Sequence, residues 1–366
     1  MIVGILSFVF SILYWPGIAS AATTPRWAFL AVVVSLGLFF VRVRWTLAHF
    51  FLAATLGWML VSWSWAIVGY DGALIGFKFV ILSGLFLIGA QLTSLRPVLI
   101  GCSWGLLVNS AVIIAQLRGW TALEQAAIPG GLFINKDLSA EFALLVLIGL
   151  LYERLWWLVP NVLVSVIMPH SRSVMVAAVV KLGLLLWKKQ PRLWVFFGAI
   201  VIASGIVYYL LAPDSSASQR IDLWIDTLQG YRWFGHGLGQ YYAVYPEFAT
   251  HVDTLVERPD HAHNDLLEIG YELGIGASLV VCFVWCCWRG TLVAEKAILA
   301  AFLVIGCFSF PLYMPATAAI FALVAGRLAG TLPDLRNSLA RSREKVDDRL
   351  ASVQNPGSGL EGDYIS

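Results

Sequence analysis

Along most of this chain, apolar residues run on without the polar interruptions that mark a soluble fold. The runs reach the length of helices that cross a hydrocarbon core of roughly 30 Å. They are continuous and do not alternate side to side, so they predict helices and not barrel strands. Twelve spans are expected, at about 2–20, 27–41, 46–68, 73–91, 97–117, 138–152, 157–169, 174–187, 193–212, 264–288, 293–310 and 316–332. The expected fold is therefore an all-α polytopic membrane protein with one long extracytoplasmic loop. It divides into helices one to nine (1–212), the loop (213–263), helices ten to twelve (264–332) and a polar cytoplasmic tail (333–366) whose end reads as disordered.

Composition supports this pattern. The chain is 59% hydrophobic and only 13% charged, against about 25% charged in soluble domains. The 16 Trp and 12 Tyr suit interfacial belts, Trp58, Trp63, Trp65, Trp156 and Trp157 among them. The net charge of +2 points to no class of partner. All five cysteines fall in apolar spans and read as small hydrophobes; Cys282 and Cys286 stand one helical turn apart, with no second pair beside them to make a metal site. Ala19-Ser20-Ala21 resembles a signal-peptidase site, but no Lys or Arg precedes the apolar run, so the first span reads as an uncleaved helix.

The distribution of bases sets the expected orientation. Arg42, Arg44, Arg96, Arg154, Lys188, Lys189, Arg192, Arg289, Lys296 and the tail fall on one side, which the positive-inside rule assigns to the cytoplasm with both termini. The long loop then faces outward. It bears Arg220, Arg232 and Arg258 against eight acids, from Asp214 to Asp265.

The chemistry concentrates at the end of that loop, in Asp260-His261-Ala262-His263-Asn264-Asp265. Two imidazoles, an amide and two carboxylates are costly near a bilayer unless they serve a purpose. His263 titrates near neutrality and is a candidate base for an attacking hydroxyl; the plainer role is an interfacial His beside a helix cap made by Asn264 or Asp265. On an extended backbone, His261 and His263 would share a face and could chelate a metal, with Asp260 or Asp265 adding oxygen. Arg172, in Ser171-Arg172-Ser173 between two apolar runs, has the planar fork that suits phosphate oxygens; otherwise it snorkels to the headgroups. Arg220 heads a stretch with helical apolar spacing at Ile221, Trp224, Ile225 and Leu228, an amphipathic helix on the outer leaflet. There it meets a lipid-linked phosphate or pairs with Asp222 or Asp226. Gly235-His236-Gly237-Leu238-Gly239 follows no strand and reads as a turn. Tyr241, Tyr242, Tyr245 and Phe248 form a sugar-stacking platform or pack against the membrane.

These residues together resemble the O-antigen ligase and polymerase family of bacterial membrane glycosyltransferases. The resemblance spans roughly 130–280. It rests on Gly131-Leu132-Phe133-Ile134-Asn135, Ser171-Arg172-Ser173, Arg220 with Trp224, the spaced glycines 235, 237 and 239, and above all His261-Ala262-His263-Asn264 leading to Glu272-Leu273-Gly274-Ile275-Gly276. It implies a glycan donor on undecaprenyl diphosphate, an acceptor hydroxyl on lipid A–core or a growing glycan, metal-independent chemistry without a cofactor, and the outer face of the inner membrane. It also implies catalytic roles for His263, Arg172 and Arg220. His261, Asn264, Asp260 and Trp224 are expected to bind substrate. Ligation is the expected activity and repeat-unit polymerisation the alternative. A flippase, whose midplane charges would be Lys78, Glu141 and Lys181, and a metallohydrolase built on His261 and His263 are the competitors from other classes.

Overall fold

The computed structural model describes residues 1–18, 20–121, 123, 127–178, 216–250 and 259–335, with the backbone alone for 216–218. These residues are helical, with no β-structure among them beyond a lone parallel bridge between Ala127 and Asn135. The helices, numbered in chain order, are α1 (Ile2–Ile12), α2 (Thr23–Gly37), α3 (Leu47–Ser62), α4 (Gly69–Gly89), α5 (Arg96–Leu117), α6 (Lys136–Tyr152), α7 (Pro160–Ile167), α8 (Ser216–Gln229), α9 (Asp265–Leu273), α10 (Ala277–Trp288), α11 (Val293–Gly306) and α12 (Pro315–Gly330). Residues 172–178 are also helical.

Among the described residues, five helices are long and apolar enough to cross a bilayer: Thr23–Phe40, Leu47–Trp65, Gly69–Gly89, Arg96–Leu117 and Asp265–Trp288. The chain is a multi-pass membrane protein. The expected eighth and ninth spans lie largely or wholly outside the described residues, as do the bases at 188, 189 and 192, Lys181, part of the long loop and most of the tail. Two expected spans come out short. The first helix stops at Ile12, and the seventh is a 3-10 turn at Trp156–Leu158 followed by the eight residues of α7. The tenth is broken: Gly274 takes φ +56° and a 3-10 turn separates α9 from α10.

Without a hydrophobic force between helices in lipid, close backbone approach supplies much of the packing. Helix α1 crosses α5 where Gly4 meets Gly101, so closely that a Cβ at Gly101 would strike the Gly4 carbonyl. Helix α6 is the central post. It packs against α5, α7, α11 and α12, and buries eleven of its seventeen residues. Its head is polar, and the polar loops gather around that head.

A second, smaller core holds the outer part together. Leu223 on α8, Tyr241, Val244 and Tyr245 from the following turn, Ala262 and Tyr271 on α9 pack as one cluster. Tyr241 and Tyr245 are 1% exposed and stack on each other at 5.2 Å, so these two are neither a sugar platform nor a membrane contact. Asp226, also buried, accepts from Tyr245 Oη at 3.2 Å and from Thr250 Oγ1 at 2.6 Å. The glycine-rich stretch is a turn held by backbone bonds, from His236 N to the Tyr271 carbonyl (3.1 Å) and from Gly237 N to the Glu272 carbonyl (2.9 Å).

Candidate active site

Two cavities meet at the head of α6. The smaller, about 120 Å³, is walled by Lys136, Asp137 and Glu141 of α6, by His170, Arg172 and Ser173, by Arg220 of α8, and by Phe308 and Ser309. The larger, about 590 Å³, is walled by Ser20 and Thr23, by Phe133 and Ile134, by Asp260 and His261, and by Met314. Asn135, Leu138, His263 and Phe310 line both.

The wall between them is built by local structure that the sequence specifies. Asn135 caps α6, its Oδ1 accepting from Asp137 N at 2.8 Å. The loop before it is tied from beneath by a buried amide. Asn109 on α5 donates to Ser139 Oγ and Ser165 Oγ, each at 2.9 Å, and accepts from Leu132 N at 2.8 Å. Gly131 sits on this amide with φ +58°, and a Cβ there would collide with Asn109 Oδ1, so both its conformation and its contact demand glycine. Arg26 clamps the same loop from α2. Its buried guanidinium donates to the carbonyls of Phe10 (3.1 Å), Ala22 (2.9 Å), Ser11 (2.9 Å) and Leu132 (3.4 Å), and lies over the Phe133 ring.

The opposite wall is the loop leading into α9. Asn264 caps that helix, accepting from Leu266 N (3.1 Å) and Leu267 N (3.2 Å), and lines neither cavity. His263, one residue earlier, takes φ +50°, a left-handed conformation that aims the imidazole to the junction of the two cavities. His170 has the same φ and lines the small cavity. Left-handed backbone at a bulky residue costs about 1–3 kcal/mol and clusters at functional sites.

Charge separates the two cavities. Lys136, Arg172 and Arg220 all line the small one, against Asp137 and Glu141. Arg220 is anchored by Nη1 donating to the Phe308 carbonyl at 2.9 Å, and burial lowers its pKa while Asp137 and Glu141 oppose that shift. Glu141 is fully buried and accepts from Ser173 Oγ at 2.8 Å. Burial, with the Arg220 guanidinium and His261 alongside, pushes the His263 imidazole down to about 4. His263 is thus neutral at physiological pH, with a lone pair available.

Among the described residues, no Lys or Arg lines the larger cavity. His261 lines it, with Nδ1 at 2.7 Å from Glu268 Oε1, while Glu268 Oε2 accepts from Ala262 N at 2.8 Å. The His261 ring stacks on Phe310 at 4.5 Å and lies 4.7 Å from Tyr313. Trp224 lines neither cavity. It donates Nε1 to the Ala262 carbonyl at 2.9 Å and so ties α8 to the His261–His263 segment. Among the described residues, no group of three or more His, Cys, Asp and Glu is arranged to hold a metal ion.

The structure therefore gathers His263, Arg172, Arg220, His261 and Asp260 into one site, and places Asn264 and Trp224 as supports for it. It adds Lys136, Asp137, Glu141 and Glu268, which sequence reasoning did not assign to the site. Three consecutive polar residues at the head of an apolar run, Asn135-Lys136-Asp137, were the available signal for the first two.

Residues 157–282 match the family described as O-antigen ligase, a stretch that contains Arg172, Arg220 and the whole of the His261–Asn264 motif. Over this segment, about a third of its length, the chain is similar to that family. No curated protein matches it. The O-antigen ligase segment supplies one side of the site, and Asn135, Lys136 and Asp137 come from sequence that precedes it.

Proposed function

We propose that this protein transfers a glycan from undecaprenyl diphosphate to a sugar hydroxyl, as an O-antigen ligase whose acceptor is lipid A–core. One observation carries the reading: a cavity lined by Lys136, Arg172 and Arg220 opens onto His263 within a segment of this family. The positions of the bases along the chain favour a site on the outer face of the inner membrane and cytoplasmic termini.

The acceptor oxygen bonds to the anomeric carbon of the donor glycan as the bond from that carbon to the diphosphate oxygen breaks. Undecaprenyl diphosphate leaves with the bonding pair, and the hydroxyl proton passes to His263. A diphosphate needs charge neutralisation more than protonation, and guanidinium forks supply it. Preorganised cations thereby take the part a divalent metal plays in many phosphoryl and glycosyl transfers, so the reaction is proposed to be metal-independent.

The low pKa of His263 is that of the free protein. A bound diphosphate places negative charge beside the cations that depress it, and so raises His263 towards the range where a base works best. Binding of the donor thus readies the base.

The test is the lipopolysaccharide profile of a deletion strain, complemented with wild type, His263→Ala or Arg172→Ala. The expected result is bare lipid A–core with long polymer accumulating on undecaprenyl diphosphate, the ladder restored by wild type and by neither variant. Single repeat units on the core would make the protein a polymerase. An unchanged profile in the deletion strain would remove both readings.

A further inference from the structure

The larger cavity raises a question that the arginines do not answer: what holds the acceptor. Among the described residues, its polar wall holds the Asp260 carboxylate, the Asn135 amide, the Ser20 and Thr23 hydroxyls and the His261 imidazole, with no permanent cation. That set suits a neutral polyhydroxyl group and is a poor host for a phosphate, the reverse of the smaller cavity. Its volume of about 590 Å³ lies in the range of small-ligand pockets, and it shares Asn135 and His263 with the smaller cavity.

His261 is the most tightly held polar group in this wall. Phe310 and Tyr313 fix its ring plane, and Glu268 fixes its tautomer. Glu268 is 1% exposed and sits on the first turn of α9. Each of its oxygens faces a donor, Oε2 the backbone N–H of Ala262 and Oε1 the imidazole. A carboxylate that accepts from both donors fixes the tautomer of a neutral His261, with the proton on Nδ1 and the lone pair on Nε2.

Resting on the function proposed above, we propose that this cavity binds the acceptor sugar, that His261 Nε2 accepts a hydrogen bond from one of its hydroxyls, and that Glu268 is the positioning residue that makes His261 an acceptor. The hydroxyl so held lies beside His263, which lines the same cavity and takes the reacting proton. The two imidazoles thus divide the work: His261 orients the acceptor, and His263 deprotonates it.

Glu268→Gln tests the arrangement with almost no change of shape. A glutamine retains an oxygen for Ala262 N but turns an NH₂ towards His261, which forces the proton from Nδ1 to Nε2 and converts the acceptor into a donor. The assay uses purified protein in nanodiscs. The donor is undecaprenyl-diphosphate glycan and the acceptor lipid A–core, both extracted from the deletion strain. The expected result is an acceptor KM raised about tenfold or more, the cost of leaving one hydrogen-bonding group unmatched, with the donor KM within twofold of wild type. Should Glu268→Gln fail to accumulate, His261→Gln leaves Glu268 its bond to Ala262 and carries the same expectation. An unchanged acceptor KM in a folded variant, or a change confined to the donor KM, overturns the proposal. Wild-type protein that transfers nothing would instead overturn the function on which it rests.

Discussion

The two cavities share four residues and differ in nearly everything else. The smaller is built on the head of α6 and the start of the helical stretch at 172, and its described lining includes the permanent cations Lys136, Arg172 and Arg220. The larger is built on the loops before α2, α6 and α9, with hydroxyls, an amide, a carboxylate and an imidazole held by a carboxylate. Cations recognise an anion at any point around it, whereas neutral donors and acceptors recognise a particular pattern of hydroxyls. On the function proposed above, this difference in wall chemistry would keep leaving group and nucleophile apart, with one neutral histidine at the junction.

The junction is where the comparison breaks most easily. His263→Gln keeps the volume and a hydrogen-bonding tip but removes the base. Turnover should fall about 10²–10⁴-fold, with both KM values within a few-fold of wild type in steady-state assays. A large rise in either KM would make His263 a binding residue of one cavity. Arg220→Lys comes next. Lysine keeps the charge but loses the fork and the anchoring bond to the Phe308 carbonyl. The donor kcat/KM should fall about 10²-fold while the acceptor KM stays put. Equal damage to both KM values would mean that the cavities are one.

Acidity sharpens the comparison further. The His263 imidazole lies near 4 in the free protein, so it is neutral above that pH and protonated, hence unable to accept, below it. The donor kcat/KM, which reports the free protein, should hold down to about pH 4. The kcat profile, which reports the loaded protein, should lose activity at a higher pH, because bound diphosphate raises the imidazole. Coincident limbs in the two profiles would show that the diphosphate does not sit beside His263. The smallest effect belongs to Asn264→Ala. This removes the α9 cap, costs about 1 kcal/mol of stability in thermal denaturation, and should leave both KM values within a few-fold, because Asn264 lines neither cavity. A selective rise in the acceptor KM would restore it as a substrate contact.

Hydrophobic run length made most helices legible. Spans 73–91 and 97–117 sit within a few residues of α4 and α5, because nothing but apolar length decides them. It gave the tenth span too, as Asp265–Trp288, but not the interruption inside it that tertiary contacts set. Gly274 breaks the tenth span because its φ is positive and its backbone packs against Trp233 and Gly235, neither of which a hydropathy window senses. Site residues were legible where a costly side chain stood out against apolar neighbours, as Arg172, Arg220, His261 and His263 do. Glu268 was not, since on α9 it reads as an ordinary acid in a helix's first turn; only the fold shows that it faces His261. Asn264 and Trp224 were noticed for their place in a motif, and their hydrogen bonds show them supporting the site from outside its cavities.

The central claim is that the small cationic cavity holds the diphosphate. It is tested most directly by the affinity of purified protein for a short polyprenyl diphosphate, measured for wild type, Arg172→Ala, Arg220→Ala and Asp260→Ala. The account predicts binding weakened about tenfold or more in each arginine variant, the worth of a charge-assisted contact, and unchanged in Asp260→Ala. Arginine variants that bind as tightly as wild type, or an Asp260→Ala variant that loses binding, would contradict it.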